Sequence, residues 1–231
     1  DRYRPYLSFV EGRTDYINAV KLPSHRQKDG LIVTQMPMEE TVIDFWRLVY
    51  DFGVRTIVML NVLQENNKCT GEYWPSKGES MMEAFFNIEN VDENTDNKDY
   101  IWRKIRLTKN SEQPREIRQF QRKFWPGSEK VPLQTDAMLK LIDSVKQWQR
   151  QAESKTVVIH CMDGAERSGL YCVLTTVLER LNVERDVAIY QTVKKMRTRR
   201  QHIIQNFEQY KYCHDIVIEY LSNFGTYSNF S

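Results

Sequence analysis

The stretch that decides the fold is Val157-Val-Ile-His-Cys-Met-Asp-Gly-Ala-Glu-Arg-Ser-Gly-Leu170. A β-branched run ends in His-Cys, an irregular turn follows, and Arg-Ser-Gly opens a segment with helical periodicity. A strand–turn–helix connection of this kind presents backbone N–H groups and the positive end of a helix dipole to an anion. Yet Asp163 and Glu166 place two carboxylates in the same turn. The sequence therefore raises the question whether this site performs chemistry, only binds, or has lost both abilities.

The rest of the chain alternates short β-branched runs with longer amphipathic runs. The short runs predict strands at 31–35, 56–60, 84–88, 102–107, 117–121 and 156–160, with an acidic hairpin at 92–99. The amphipathic runs predict helices at 41–52, 135–152, 168–181, 185–196 and 206–221. Strands that alternate with helices, without a linker rich in Pro, Gly or Ser, predict one domain of the α/β (α+β) class over residues 1–224. We expect a frayed tail at 225–231.

Composition excludes several classes of protein. Apolar residues make up 41% of the 231 residues, which is too many for a disordered chain. The formal net charge is only +2, so we expect no nucleic-acid partner. No apolar run approaches the roughly 18 residues that a membrane-spanning helix needs. The cysteines, Cys69, Cys161, Cys172 and Cys213, lack the spacing of a zinc site or a disulfide framework, so we expect a reduced protein with no metal and no other cofactor.

The spacing of Cys161 and Arg167 favours nucleophilic chemistry on a phosphate ester. A cysteine at the N-terminus of a helix has a lowered pKa, which makes thiolate available for attack. An arginine in the first helical turn can bind two phosphoryl oxygens, and the Ser168 hydroxyl could protonate the thiolate when it leaves. The same residues also fit a buried strand-end cysteine beside a surface arginine. The strand before them and the helix after them favour the phosphate-binding turn.

His160-Cys161-x5-Arg167-Ser168-Gly169 resembles the signature loop of the protein tyrosine phosphatases. Other motifs follow in the order of that family over residues 1–222: Asp15-Tyr-Ile-Asn-Ala19, Thr34-Gln-Met-Pro37, Tyr73-Trp-Pro75, Trp125-Pro126 and the segment from Met196 to Tyr210. The resemblance implies a single domain built on a highly twisted mixed β-sheet with helices on both faces. It also implies a cleft shaped for phosphotyrosine.

The resemblance also implies roles for individual residues. Cys161 matches the nucleophile, Arg167 the arginine that binds phosphate, His160 the residue that tunes the thiolate, and Ser168 the hydroxyl beside it. Met162, Gly164 and Ala165 complete the phosphate loop, Gln205 and Gln209 match the glutamines that position the hydrolytic water, and Glu65 matches the glutamate that orients the arginine. Asn206 replaces the threonine usual in the family.

The general acid of the family is missing from this sequence. Active relatives carry Trp-Pro-Asp on a mobile loop, whereas Gly127 follows Trp125-Pro126 here. Loss of a positioned acid costs about 10²–10⁴ in rate. Glu129 is an alternative acid, although two residues of offset would move its carboxylate by several ångströms.

The phosphate loop itself carries two further departures, Asp163 and Glu166, where the family has small residues. A carboxylate about 6 Å from a phosphate dianion repels it by a few kcal/mol at an effective dielectric constant of about 20. The same charges would raise the pKa of Cys161. Two alternatives stay open: Glu166 could point outward into solvent, and Asp163 could pair with Arg167.

The family's recognition loop, which stacks a tyrosine on the substrate ring, falls upstream of residue 1. Together the departures resemble the second, membrane-distal domain of tandem receptor-type tyrosine phosphatases. That resemblance implies an inactive or nearly inactive domain with a regulatory or docking role, in the cytoplasmic portion of a single-pass plasma-membrane receptor. Its implied partners are the catalytic first domain of the same receptor, in cis or in trans, and phosphotyrosine proteins or cytoplasmic adaptors. Alternatives are a weak phosphatase, a phosphotyrosine-binding module, and a redox sensor that uses Cys161 and Cys172.

Overall fold

The computed structural model describes residues 2–63, 71–123, 125–126 and 129–228. Its strands are β1 (Ala19–Leu22), β2 (Leu31–Gln35), β3 (Thr56–Met59), β4 (Ser80–Glu83), β5 (Phe86–Asn94), β6 (Tyr100–Lys109), β7 (Arg115–Arg122) and β8 (Val157–Cys161). Its α-helices are α1 (Val42–Asp51), α2 (Thr135–Gln151), α3 (Glu166–Glu184), α4 (Ile189–Arg197) and α5 (Phe207–Ser228). A short 3-10 turn at Glu39–Thr41 leads into α1.

The strands form one mixed sheet in the order β1-β2-β8-β3-β7-β6-β5-β4. Strands β2, β8, β3 and β7 run parallel. Strand β1 pairs antiparallel with β2, and β6, β5 and β4 continue the sheet from β7 with each neighbouring pair antiparallel. Every residue of β8 is buried, as a β-branched run between two parallel neighbours requires. Because parallel strands end at the same edge of a sheet, the turn after β8 lies beside the ends of β2 and β3.

Helices cover both faces of the sheet, which confirms the predicted architecture. On one face, α1 packs Phe45 and Trp46 against Ile57 and Val158. On the other face, α2, α3, α4 and α5 share a core with Val58 and the β8 residues on either side of Val158. The alternation of β8 side chains between two cores fixes its register and therefore the direction in which Cys161 leaves the sheet.

Some element boundaries differ from the predicted ones for local reasons. The predicted strand at 84–88 spans a turn, because Ala84 adopts a left-handed conformation with φ of 52° between β4 and β5. Helix α4 begins later than residue 185, since Arg185, with φ of 58°, caps the end of α3. Helix α5 runs to Ser228, beyond the predicted end at 221 and into the predicted tail 225–231. Strands β1 and β4 were not predicted.

Within the described ranges, no helix combines the length and the apolar character needed to cross a membrane.

Candidate functional site

Strand β8 delivers Cys161 to the edge of the sheet. The Met36 N–H donates to the Cys161 carbonyl at 2.7 Å, so the end of β8 is held against the end of β2. The turn that follows lies directly on β2, because Gly164 has φ of +65° and a Cβ there would stand 2.4 Å from the carbonyl carbon of Thr34. Only glycine fits this position, both for its conformation and for the space available.

Helix α3 begins at Glu166 and packs closely on the segment that leads to Gln205. A Cβ on Gly169 would meet the Ile203 side chain at 2.7 Å. This close approach brings the glutamine segment beside the first turn of α3. The structure therefore assembles the ends of β8 and β2, the start of α3 and residues 203–209 around one turn.

The Cys161 side chain is 1% exposed and is held as a thiol. Its Sγ lies 3.2 Å from Ser168 Oγ, and the thiol donates to Asp163 Oδ1 at 3.0 Å. Burial raises the pKa of Cys161, and the charge of Asp163 raises that pKa further. The hydrogen bond with Ser168 acts in the opposite direction without reversing the shift. Thiolate is thus disfavoured at the position where the motif predicts a nucleophile.

Asp163 turns its carboxylate into the phosphate loop. Besides the thiol, Oδ1 accepts the N–H of Ala165 at 3.0 Å and the N–H of Glu166 at 3.2 Å. Desolvation acts to raise the pKa of Asp163, but the hydrogen bonds from the thiol and the backbone N–H groups outweigh it and hold the pKa below its usual range. An ionised carboxylate of the loop itself thus accepts N–H groups of the kind that bind an anion at the start of a helix.

This geometry corrects the alternative in which Asp163 pairs with Arg167. Instead, the Arg167 guanidinium donates to the carbonyl of Leu60 through Nη1 and to the carbonyl of Pro126 through Nη2, each at 3.3 Å. The guanidinium carbon of Arg167, Cζ, lies 5.4 Å from the centre of the Trp125 ring. Arg167 therefore connects α3 to the end of β3 and to the segment at Trp125 and Pro126.

The Glu166 side chain is 32% exposed and turns towards Gln209, so it is neither buried in the loop nor fully solvated. Its Oε1 accepts the side-chain N–H of Gln209 at 3.1 Å and lies 3.9 Å from Nζ of Lys130. Gln209 is fully buried and its Oε1 accepts the N–H of Gln205 at 2.9 Å, whereas the Gln205 residue is exposed. The side-chain amide of Gln209 is thus occupied by the carboxylate of Glu166 and the backbone N–H of Gln205.

His160 is fully buried beneath the turn and neutral. Burial lowers the pKa of His160 to about 3. The Gln119 side chain donates to the Tyr73 hydroxyl at 2.6 Å, so we assign Tyr73 as the donor to His160 Nε2 at 2.7 Å. In the sequence, Tyr73 is marked only as part of the Tyr73-Trp-Pro75 motif, and no pattern around Gln119 indicates a role.

Arg200 is a further residue of the site that the sequence analysis did not single out. Its Nη2 donates to the Asp163 carbonyl at 3.1 Å and its Nη1 to Asn18 Oδ1 at 3.2 Å. Asn18 in turn donates to Gln35 Oε1 at 2.6 Å. Arg200 lies in the motif segment from Met196 to Tyr210, and Asn18 lies in the motif Asp15-Tyr-Ile-Asn-Ala19. Membership of these motifs was the signal in the sequence that pointed to the site. Together they tie the turn to β2.

The remaining predicted residues lie as follows. Met162 is half-buried, and its sulfur accepts the side-chain N–H of Asn61 at 3.3 Å; Ala165 is buried. Glu129 is exposed, and its backbone carbonyl accepts the Trp125 indole N–H at 3.1 Å. Glu65 and Gly127 lie outside the described residues. Among the residues that are described, no group of three or more His, Cys, Asp or Glu could hold a metal ion.

Comparison with known proteins gives consistent matches over nearly the whole chain. Residues 1–219 match the family model described as protein-tyrosine phosphatase. Receptor-type tyrosine-protein phosphatase alpha of Homo sapiens is 37% identical over 224 residues, which cover 95% of this chain and 27% of that protein. Receptor-type tyrosine-protein phosphatase epsilon of Rattus norvegicus is 36% identical over 239 residues, which cover 100% of this chain and 34% of that protein. The chain thus spans about a quarter to a third of these relatives.

Among solved structures, the catalytic domain of human protein tyrosine phosphatase non-receptor type 18 matches with a TM-score of 0.86 and 30% sequence identity. The match covers 95% of this chain and 80% of that domain.

Proposed function

Because this chain belongs to the protein-tyrosine phosphatase family, we propose that it is a receptor-type phosphatase domain without phosphatase activity, which serves as a regulatory or docking module. In this proposal the fold of an enzyme is kept as a rigid surface, and the phosphate loop no longer binds phosphate.

The carboxylate of Asp163 carries the proposal. It accepts the N–H groups of Ala165 and Glu166 as well as the thiol of Cys161. A substrate phosphate would have to displace this carboxylate from its donors and remain beside its charge. Both steps are unfavourable, so the loop is satisfied without a ligand.

The chemistry that the family performs would also be slow here. Attack on phosphorus requires a thiolate, and the pKa of Cys161 is raised by burial and by Asp163. Protonation of the leaving phenol requires an acid, and the sequence has Gly127 at that position. The raised pKa also argues against a redox sensor, because the thiolate is the form of cysteine that peroxide oxidises.

We further propose that this chain is the membrane-distal second domain of a tandem receptor and contacts the catalytic first domain of that receptor, in cis or in trans. The support is that its relatives are receptor-type phosphatases three or more times its length. In that setting it would lie in the cytoplasmic portion of a single-pass plasma-membrane protein, where phosphotyrosine proteins or adaptors are further partners.

Turnover of para-nitrophenyl phosphate, measured beside a Cys161→Ser control, tests the loss of activity. This substrate has a good leaving group and needs little help from a general acid, so it reports on the thiol and the loop alone. We expect turnover equal to that of the control. Turnover clearly above the control would instead establish a weak phosphatase.

Binding of a phosphotyrosine peptide separates the docking module from a phosphotyrosine-binding module. We expect no affinity that depends on Arg167. Affinity that falls on Arg167→Met would contradict the proposal. The docking role is tested by adding this domain to the catalytic first domain and measuring a change in the turnover of the first domain.

A further inference from the structure

A second site lies at the opposite end of strand β8 from Cys161. A cavity of about 550 Å³ opens between the start of β2 at Leu31, the start of β8 at Val157, and helices α2, α3 and α5. Since β8 runs from Val157 to Cys161 at about 3.3 Å per residue, the cavity and the phosphate loop are separated by about 13 Å along the strand. The volume lies in the range of about 300–1,000 Å³ that is typical of small-molecule sites.

Tyr171 contributes an unsatisfied hydroxyl to the wall of this cavity. The residue is 1% exposed, and its hydroxyl has no hydrogen-bond partner within the described chain. A buried hydroxyl without a partner is unfavourable, so one is expected to meet a ligand or an ordered water. Burial raises the pKa of Tyr171 well above its usual value. The phenol therefore stays protonated and can donate a hydrogen bond.

Basic side chains outnumber acidic ones around the cavity. The basic ones are Arg26, Lys146, Arg150 and Lys155, and the acidic ones are Asp143 and Glu179. No ion pair between the four basic side chains and a carboxylate occurs in the part of the chain that the structure describes. Lys146 and Arg150 lie one helical turn apart on α2 and both line the cavity, where Asp143 and Glu179 are the carboxylates that act on Lys146.

Lys146 is the most buried of the four basic side chains. Burial lowers the pKa of Lys146; Glu179 and Asp143 act to raise it, and the neighbouring cations Arg150 and Arg26 lower it further. The carboxylate of Glu179 also accepts the His25 backbone N–H at 3.3 Å. The cavity therefore combines one half-buried cation, Lys146, and three exposed cations with an unused hydrogen-bond donor, which together suit an anion.

We propose that this cavity binds a small polyanion, a polar molecule that carries several phosphate groups, with Lys146 and Arg150 as its cationic contacts and Tyr171 as a hydrogen-bond donor. The site lies apart from the phosphate loop and does not depend on the function proposed above. Soluble phosphorylated metabolites and phosphorylated lipid headgroups share this chemistry.

Calorimetric titration of the whole chain with myo-inositol hexakisphosphate tests the site. We expect one equivalent to bind at moderate salt, and the double variant Lys146→Gln/Arg150→Gln to weaken binding by at least tenfold. The double variant Lys194→Gln/Lys195→Gln, which removes two lysines from the last turn of α4, is the matched control and is expected to bind like the parent. Absence of binding, or equal weakening by both double variants, would overturn the proposal.

Tyr171→Phe gives an independent test, because the hydroxyl has no hydrogen-bond partner among the described residues. We expect the midpoint of thermal unfolding without ligand to stay the same or rise, while affinity for the probe falls. Unchanged affinity would remove Tyr171 from the site. Co-sedimentation with vesicles containing phosphatidylinositol bisphosphate identifies the source: binding that is lost in Lys146→Gln/Arg150→Gln assigns a lipid headgroup, and binding of the soluble probe alone assigns a metabolite.

Discussion

Substitution of Asp163 by alanine should restore oxyanion binding to the phosphate loop. The change removes the carboxylate that accepts the N–H groups of Ala165 and Glu166. Those donors then become available to a ligand, and the negative charge next to Cys161 disappears. Because Gly164 and the Arg200 contact to the loop backbone remain, the path of the turn should be preserved.

The magnitude follows from the geometry. Asp163 Oδ1 lies 3.0 Å from Cys161 Sγ. An oxyanion placed for attack has its central atom about 3–3.5 Å from that sulfur, so it lies at most about 6.5 Å from the carboxylate oxygen. At that distance a dianion is repelled by about 1.3 kcal/mol in water and by about 5 kcal/mol at an effective dielectric constant of 20. Removal of the charge should therefore raise affinity by at least about tenfold at low ionic strength.

Tungstate is a suitable probe, because it is a stable dianion and its binding can be followed by calorimetry without turnover. We expect Asp163→Ala to bind it at least about tenfold more tightly than the parent. Glu166→Gln is the matched control, since the Glu166 carboxylate faces Gln209 and Lys130, and it should change affinity far less. The gain should vanish in Asp163→Ala/Arg167→Met. Equal tungstate affinity for the parent and Asp163→Ala would refute the argument that the carboxylate blocks the loop.

The remaining predictions concern activity and stability. Gly127→Asp alone should leave the turnover of para-nitrophenyl phosphate at the level of a nucleophile-free control. The double variant Gly127→Asp/Asp163→Ala should turn over this substrate faster than either single variant. Equal rates for the single and double variants would mean that the Asp163 carboxylate does not block turnover. Gly164→Ala should lower the free energy of unfolding in urea by about 3 kcal/mol or more, because its Cβ overlaps β2, whereas Gly53→Ala, at a similar positive φ with open space around it, should cost only about 1–2 kcal/mol. Because burial lowers the pKa of His160 to about 3, only the unfolded chain takes up a proton at this residue between pH 6.5 and pH 3. The free energy of unfolding should therefore fall by up to about 1.4 kcal/mol per pH unit as the pH falls through this range. His160→Gln should flatten this dependence of the free energy of unfolding on pH, and an unchanged slope would contradict the assignment of a neutral buried imidazole.

The central strand and the helices could be predicted because their signals are local. The β-branched run of β8 and the glycine in the turn after it appear in consecutive residues. Helices α1, α2 and α4 each have an apolar stripe, whereas the first half of α3 is buried on nearly all sides. Strand β4, in contrast, is four residues at the edge of the sheet with alternating exposed and half-buried side chains, and its sequence, Ser-Met-Met-Glu, does not alternate apolar with polar residues. Strand β1 is equally short and lies directly after a family motif, which hid its pairing with β2.

The directions of the two loop carboxylates could not be predicted, because each depends on atoms that the sequence does not place. Asp163 faces the N–H groups of Ala165 and Glu166 because the turn curls around it. Glu166 bonds to Gln209, which lies 43 residues further along the chain. The residue types alone thus indicated a phosphate loop with unfavourable charges. Only the packing of distant segments shows which donors the two carboxylates occupy.

Long-range hydrogen bonds explain the other omissions. The Tyr73 hydroxyl meets His160 across 87 residues and Gln119 across 46 residues. Polar side chains that support a site from beneath carry no periodic pattern, and a single sequence does not reveal their pairing. The cavity around Tyr171 likewise forms only where α2, α3 and α5 meet the starts of two strands.

The position of β8 in the sheet has a consequence for the synthesis of the protein. Strand β8 pairs with β2 on one side and with β3 on the other, yet it leaves the ribosome after all other strands. At roughly 5–20 residues per second, β2 waits about 6–25 s for this partner. During that interval the facing edges of β2 and β3 are unpaired, and exposed strand edges attract other chains. The nascent chain is therefore expected to need chaperone protection until residue 161 has emerged, and fragments that end before residue 157 are expected to aggregate.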